Sequence, residues 1–584
     1  MVIRILLVLV LAVSGAWGAT YYIDITNGND GIASAADYAL TSATKTVTKA
    51  GAFAAANYTF HAGDQIQITT TGAGGHAVAG FYTIASKTDN TLVLATDPTD
   101  GTDETSVSLV VGNTGTAAAT SVGAITGPWK TIVKAVATVA AGDEVVVADG
   151  TYAENSGSNY LSIGSKTYAT PVTFRADNPH VGTTWNVIIT GASGNNNVYI
   201  DSCTGITFKE IEFQPNSNSS DTVYLAGANK RLRFINCNLT NSSVTSGRRT
   251  LYMIGTSAGY TIEFIGCSFF GKSDKAVISS INAASLPVLD NIMFQNCTIA
   301  STGGTNTPLV DIQKGFSGLL FDTCVFTHTG TSNVKTITLG IDGASDNASS
   351  CAGIKLKDCT ISTSTSSHAL IVGGNVHGLT VDGCGITATS ADYGIVIKCA
   401  TGASVRNNTV VGATAGLISR ASYGFEINNN VFYADTSGIT IEDYDGSTPD
   451  YGTGDLGEVY NNICYITGAG DQYGLTLFDS AGATNCYVDY NCYYGTGTFY
   501  PLRVDGANKT QAEALAFWPT YGTETGRTTN DVHSVFADPQ FTNIATGDYT
   551  PRNSSLKTPD NTWMGAVQPK SSSSSRFGGG RFSN

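Results

Sequence analysis

Between Ile206 and Tyr493 one short pattern keeps returning, and a repeat of this length limits the fold more than any other feature of the 584-residue chain. The clearest copies read Leu232-Arg-Phe-Ile-Asn-Cys-Asn-Leu239, Ile262-Glu-Phe-Ile-Gly-Cys-Ser-Phe269, Ile292-Met-Phe-Gln-Asn-Cys-Thr-Ile299, Leu319-Leu-Phe-Asp-Thr-Cys-Val-Phe326 and Ile354-Lys-Leu-Lys-Asp-Cys-Thr-Ile361. One pivot position recurs as Ile211, Cys237, Cys267, Cys297, Cys324, Cys359, Cys384, Asn408, Asn430, Asn462 and Asn491. The mean step is about 28 residues, a period that signals a solenoid.

Apolar and variable residues alternate over three or four positions before the pivot, and a small or Asn-type residue beside it marks a bend. Both are strand signals. No amphipathic helix recurs within the period, which argues against helical repeats. Stacked turns pair each strand in parallel with its equivalent one rung away, at roughly 4.8 Å. Phe208, Phe234, Phe264, Phe294 and Phe321 then form one inward ladder, and Phe213, Leu239, Phe269, Ile299 and Phe326 another. The fold class that follows is all-β: a right-handed, single-stranded parallel β-helix of roughly 11–14 rungs.

Six of the twelve cysteines occupy the pivot column. Side chains stacked in this way point in one direction, a poor geometry for a disulfide. They are read as free buried thiols acting as small hydrophobes, and the later Asn pivots as amides that pass hydrogen bonds between rungs.

At the N-terminus, residues 1–18 have the form of a secretory signal: Arg4, an apolar run from Ile5 to Val13, then small residues at cleavage spacing. The run is short for a membrane span, and nothing else in the chain approaches one. The expected location is extracellular or cell-surface. The formal net charge of −15 with only 13% charged residues argues against nucleic acid and suits neutral glycans, or acidic ones if Ca²⁺ intervenes.

Residues 19–30 read as the first strand of the solenoid, running into an Asn/Gly turn. The thread resumes at 127, where Ile132, Val136 and Val139 share one face of a helix that would cap the raw end. Residues 31–126 are an insert whose segments 62–69, 81–86, 90–95 and 105–111 alternate as strands, forming a small β-domain. The β-helix is expected over 127–500 and a C-terminal capping segment over 501–569, with a helical period at 511–518. The Ser/Gly-rich tail 570–584 is low in complexity.

The opening Tyr21-Tyr-Ile-Asp-Ile-Thr-Asn-Gly-Asn-Asp30, then Pro128-Trp-Lys-Thr-Ile-Val-Lys-Ala135 and Gly142-Asp-Glu-Val-Val-Val-Ala-Asp-Gly-Thr-Tyr152, resembles the start of right-handed parallel β-helix proteins of the pectate-lyase-like superfamily. The piece from Asp531 to Phe541 is similar to their closing segment. The resemblance implies fold more than activity, because the superfamily holds lyases, hydrolases, epimerases, adhesins and phage tailspikes. The Arg-x-Pro-x-x-Arg signature of its pectate lyases and the motifs of its polygalacturonases are absent here. The insert is similar to those of virus-derived sequences.

The interior of a β-helix is filled, so ligands meet its outward columns. Two residues before each pivot the column reads Asp322, Lys357, Asp382, Arg406 through its middle, alternating in sign. Two residues earlier still lie Lys355, Glu426 and Glu458. Lys357, Asp382 and Arg406 are candidate catalytic residues for elimination from uronic sugars, which needs a base and a cation to neutralise the carboxylate. Asp322, Lys355 and Glu426 are candidate substrate contacts. The competing reading is a cross-rung ladder of surface ion pairs, each contributing about 0 to 1 kcal/mol.

A second candidate is the loop from Glu442 to Asp455. Asp443, Asp445 and Asp450 there offer oxygens to Ca²⁺, and Tyr444 and Tyr451 offer rings for sugar stacking. An ordinary solvated loop is the alternative. The seven histidines lack zinc spacing. His328, His368 and His377 lie on loops or strand ends of successive turns, where they could meet in space, and are read as solvated. Two functions remain open: an enzyme that binds and cleaves polysaccharide, as lyase or hydrolase, and a non-catalytic adhesin or virion surface protein that binds glycan. The partner in both is a polysaccharide or cell-surface glycan.

Overall fold

The structure, a computed structural model, describes residues 19–23, 38–48, 65–68, 73–111 and 129–565, apart from 155–160, 192–195, 216–220, 242–247, 255–260, 281–288, 303–306, 330–334, 341–350, 443–456, 479–485, 522–530 and a few shorter gaps. The signal segment 1–18, residues 24–30 of the first strand and the tail 570–584 lie outside the described residues. The chain divides into two compact units: 1–152 with 167–187 and 204–209, and 153–166 with 188–203 and 210–584.

In the first unit, Thr20–Ile23, Glu144–Val147, Thr167–Ala176 and Thr204–Lys209 stack in that order as parallel strands. Phe174 and Phe208 face inward with ring centroids 5.5 Å apart. Helix α1 (Ile132–Thr138) starts where the Thr131 hydroxyl accepts from the Lys134 N–H at 3.2 Å, an N-cap that satisfies one orphan donor. It buries Ile132, Ala135 and Val136, while Val139 is buried just past its last turn. The insert holds seven antiparallel strands: the four expected runs, the last of them as two strands, and two more at Tyr38–Thr41 and Thr46–Thr48. Its edge strands, Glu104–Val107 and Leu109–Val111, follow one another in the chain, so the sheet curls on itself. Tyr38, Leu40, Val47, Ile66, Leu92 and Val107 fill its core.

The second unit is a parallel β-helix. Ten strands of this unit pair successively in one sheet, in chain order: Lys230–Ile235, Ile262–Ile265, Leu289–Gln295, Phe316–Asp322, Lys355–Lys357, Thr380–Asp382, Ser404–Arg406, Glu426–Asn428, Glu458–Tyr460 and Tyr487–Asp489; this run is called the ten-stranded sheet below. Phe234, Phe264, Phe294 and Phe321 stack inside with centroids 5.0, 4.8 and 4.8 Å apart. Two further strands per rung continue the turn, as Asn238–Asn241 and Leu251–Ile254 do in one rung.

The residue before each pivot turns the corner in the left-handed region: Glu210, Asn236, Gly266, Asn296, Thr323, Asp358, Gly383, Asn407, Asn429, Asn461 and Tyr490 all have φ between 50° and 68°. Asn, Asp and Gly enter that region at least cost, which explains their recurrence beside the pivot. Tyr490 is the large exception.

The pivots themselves form one continuous polar thread inside the solenoid. Each thiol from Cys267 to Cys384 hydrogen-bonds a carbonyl one rung back, as Cys267 does to Phe234 at 3.2 Å. All eleven described cysteines are buried, and burial pushes the Cys267 thiol well up. The Cys384 N–H donates to Asn408 Oδ1 at 2.8 Å, and Asn408 donates through N and Nδ2 to Asn430 Oδ1, both at 3.0 Å. Asn430 and Asn462 repeat the same double donation to the next Oδ1. Asn491 closes the series on Ser534 Oγ at 2.8 Å.

Ser534 belongs to a segment that runs back over the outside of the last rungs. Tyr549, Leu556 and Met564 bury against Val431, Ile463 and Cys492, and the Gly565 N–H donates to Asn461 O at 2.6 Å. Helix α2 (Gln511–Tyr521) precedes it and begins with a reciprocal cap between Thr510 and Glu513. Among the described residues no helix is long and apolar enough to cross a membrane.

Candidate functional site

Strand alternation decides which side chains of the ten-stranded sheet reach solvent. Phe234, Phe264, Phe294, Phe321, Leu356, Val381, Val405, Ile427, Val459 and Val488 point in and are buried. Their neighbours on either side point out. One outward lane runs in register through Gln295, Asp322, Lys357, Asp382, Arg406, Asn428, Tyr460 and Asp489. A second, two residues earlier, runs through Lys355, Thr380, Ser404, Glu426, Glu458 and Tyr487.

The three residues put forward for catalysis are therefore neighbours, one per rung. Each is already engaged. Lys357 Nζ lies 3.9 Å from Asp322 Oδ1 and 3.7 Å from Asp358 Oδ2. Asp382 Oδ2 accepts from Arg406 Nε and Nη2, both at 3.0 Å, and its Oδ1 accepts from Asn407 Nδ2 at 2.8 Å. Gln295 Nε2 donates to Asp322 Oδ2 at 3.1 Å. Lys355 is exposed beside this run.

Past Arg406 the lanes change character. Glu426 Oε1 accepts from the Tyr460 hydroxyl at 2.5 Å and from Asn428 Nδ2, and Asn428 Nδ2 also reaches the Tyr460 oxygen at 2.9 Å. Burial, then the bond to Glu426, pushes the Tyr460 phenol far above its ordinary range, so it keeps its proton. On the last rung the Asp489 carboxylate, with 2% of its side chain exposed, meets His533 Nδ1 at 2.7 Å. Asp489 lay in the column read from sequence, but its partner did not, because His533 sits 44 residues on and outside the repeat.

Tyr444, Tyr451, Asp443, Asp445 and Asp450 fall within 443–456 and lie outside the described residues. Among the described residues no group of three or more His, Cys, Asp or Glu is placed to hold a metal ion. The reading of three solvated histidines needs correction at His328. It ends the strand Val325–His328 facing the interior, 2% exposed, and neither ring nitrogen has a hydrogen-bond partner. Burial lowers its pKa, so it is held neutral. His368 packs on Tyr393 with centroids 5.0 Å apart, and His377 is exposed on the ten-stranded sheet's side of the rung, so the three do not meet. Sequence reading also passed over a tyrosine stack on another face, Tyr199, Tyr224 and Tyr252, with Arg249 3.8 Å above the last ring.

Residues 339–500 match the family described as the right handed beta helix region, the fold expected from the repeat. No curated protein matches the sequence. Solved structures similar to this chain include tailspike protein 3 of bacteriophage CBA120, at 12% identity and a TM-score of 0.37 over 62% of this chain. The tailspike gp49 of Acinetobacter baumannii bacteriophage Fri1, a capsular polysaccharide depolymerase, superposes at 13% identity and 0.33 over 64%. A mannuronic acid specific family 6 polysaccharide lyase from human gut microbiota does so at 13% and 0.32, covering 62% of this chain and 84% of its own. The chain spans only 55% and 59% of the two tailspikes. Superpositions this loose leave function to be read from the chain's own surface.

Proposed function

We propose that the chain is a secreted glycan-binding solenoid that holds an extended polysaccharide along the two outward lanes of its ten-stranded sheet. The observation that carries this reading is the register. Cations, carboxylates, amides and phenols recur on one face at the rung spacing of about 4.8 Å, close to the length of one pyranose unit, so successive sugars meet equivalent positions. Exposed Lys355, Lys357 and half-exposed Arg406 suit carboxylates or hydroxyls of the chain. Half-buried Tyr460 suits hydroxyls.

Because Lys357, Asp382 and Arg406 are paired with neighbours, that stretch is read as a binding surface rather than a reaction centre. Ca²⁺ held by Asp443, Asp445 and Asp450 would add a bridge to acidic sugars. The test is affinity electrophoresis of purified protein against a panel of neutral and acidic polysaccharides, with Ca²⁺ and with chelator. Retardation by at least one glycan, weakened several-fold in the double variant Lys357→Ala/Arg406→Ala, is expected. Retardation by none of them, or full retention of it in that variant, removes the lanes as the binding surface.

A further inference from the structure

We infer that the column of stacked cysteines inside the solenoid is a binding site for soft, two-coordinate monovalent cations such as Cu(I) and Ag(I), each held in line between the sulfurs of two neighbouring rungs. Cys237, Cys267, Cys297, Cys324, Cys359 and Cys384 fill the pivot position on six successive rungs. From Cys267 onward every thiol repeats the same two contacts. One is to the carbonyl two residues earlier, at 3.6, 3.4, 3.5, 3.3 and 3.6 Å in chain order, and Cys237 makes it too, at 3.5 Å. The other is to the carbonyl of the inward residue one rung back, at 3.2, 3.3, 3.3, 3.5 and 3.7 Å. Side chains with the same neighbours at the same distances are translated copies of one another, so consecutive sulfurs stand one strand spacing apart, about 4.8 Å.

That spacing selects the ligand. A metal–thiolate bond is about 2.3 Å long, as it is for zinc, so two of them in line span about 4.6 Å, close to the rung spacing. Thiolates prefer soft ions such as Cu(I), and a closed-shell monovalent ion of this kind takes two ligands on a straight line. Zinc needs four ligands converging on one point, which a single file of sulfurs does not offer, and a disulfide needs sulfurs about 2.05 Å apart. The backbone around the file supports a cation as well. Phe264 O, 3.3 Å from Cys297 Sγ, belongs to the rung of Cys267, so it lies beside the gap between those two sulfurs, and the same holds at each later gap. These oxygens now accept the thiol protons and would face a cation in the same place.

Binding exchanges a proton for the metal. One S–H bond of a pair breaks, its electron pair becomes the sulfur–metal bond, and the proton leaves to solvent. The second sulfur donates a lone pair and keeps its hydrogen. The oxidation state of the metal does not change, and the filled pair carries no net charge, as an apolar interior requires. A sulfur shared by two metals in a straight file would need a straight metal–sulfur–metal angle, whereas sulfur bonds at a bend, so alternate gaps fill. Six thiols then give three sites: Cys237 with Cys267, Cys297 with Cys324, and Cys359 with Cys384. All six are at most 1% exposed, so the cation enters while the rungs assemble, and its binding is coupled to folding.

The test refolds the full chain from urea with Ag(I) in chloride-free buffer, dialyses it against glutathione to strip accessible silver, and counts the retained ions by native mass spectrometry. Wild type should keep three, one for each pair of column thiols, with one proton lost per silver. The double variant Cys267→Ala/Cys359→Ala leaves only Cys297 and Cys324 as neighbours in the column and should keep one. Cys203→Ala/Cys486→Ala removes two buried cysteines outside the column and should keep three. X-ray absorption at the silver in wild type should find two sulfur neighbours, a reading that needs no variant to fold. Four results overturn the inference: no silver retained, equal losses in the two double variants, a third sulfur or any oxygen or nitrogen at bonding distance, or a disulfide between two column cysteines of the native chain.

Discussion

Asn462 uses one oxygen to accept two hydrogen bonds, from the N and Nδ2 of Asn430, and its own Nδ2 donates onward to Asn491. Every atom involved is buried. Removing that amide leaves two interior donors of Asn430 without an acceptor, and each such group costs about 1–3 kcal/mol. Asn462→Ala should therefore lower stability by about 3 kcal/mol, whereas Cys297→Ala, which removes a weak donor and a small volume, should cost about 1 kcal/mol. Urea unfolding of the two variants beside wild type checks this, and equal losses would mean that the amides act only as filler. The pivot column was legible from sequence because a residue type that returns once per period must stack on itself. Asp489 and His533 form a pair that no period announces. Only the path of the C-terminal segment brings them together.

At the level of single elements, the insert offers the sharpest expectation. Glu104 opens one of its edge strands and accepts from the N–H groups of Gly74, His76 and Thr105 at 2.9, 2.7 and 2.7 Å. These bonds lower its pKa from 4.5 to about 2. A depressed carboxylate contributes stability that is present above its unfolded pKa and is lost as pH falls through the folded value. The insert should loosen between pH 4.5 and about 2, and Glu104→Gln should be weakened already at neutral pH and flat across that window. Hydrogen exchange of the Gly74 and His76 amides at stepped pH reads the difference. Four alternating runs of the insert were legible, but Tyr38–Thr41 and Thr46–Thr48, four and three residues long, are too short to announce themselves and take their order from pairing with distant strands. Within the C-terminal segment, Tyr549, Leu556 and Met564 pack on Val431 and Ile463, apolar positions that the strand pattern alone leaves without a cover.

For the whole molecule, the net charge of −15 opposes any acidic glycan at long range, while the cations of the lanes attract it at contact. Salt screens the first more than the second, because the Debye length falls from about 30 Å at 0.01 M to about 8 Å at 0.15 M. Association with a polyuronate should therefore speed up between these concentrations and association with a neutral glycan should not. Stopped-flow measurement of both decides it, and a polyuronate that slows with added salt would show that the local cations dominate. The thread of amides has one more implication. Each Asn receives from the rung before and gives to the rung after, so the thread has a direction, and a lone Asn among the cysteines would find no amide acceptor ahead of it. Lengthening or shortening such a protein is thus a matter of copying or deleting whole turns within a block of like pivots. Its final acceptor, Ser534, is supplied from outside the repeat and is the full stop that any such edit must carry along.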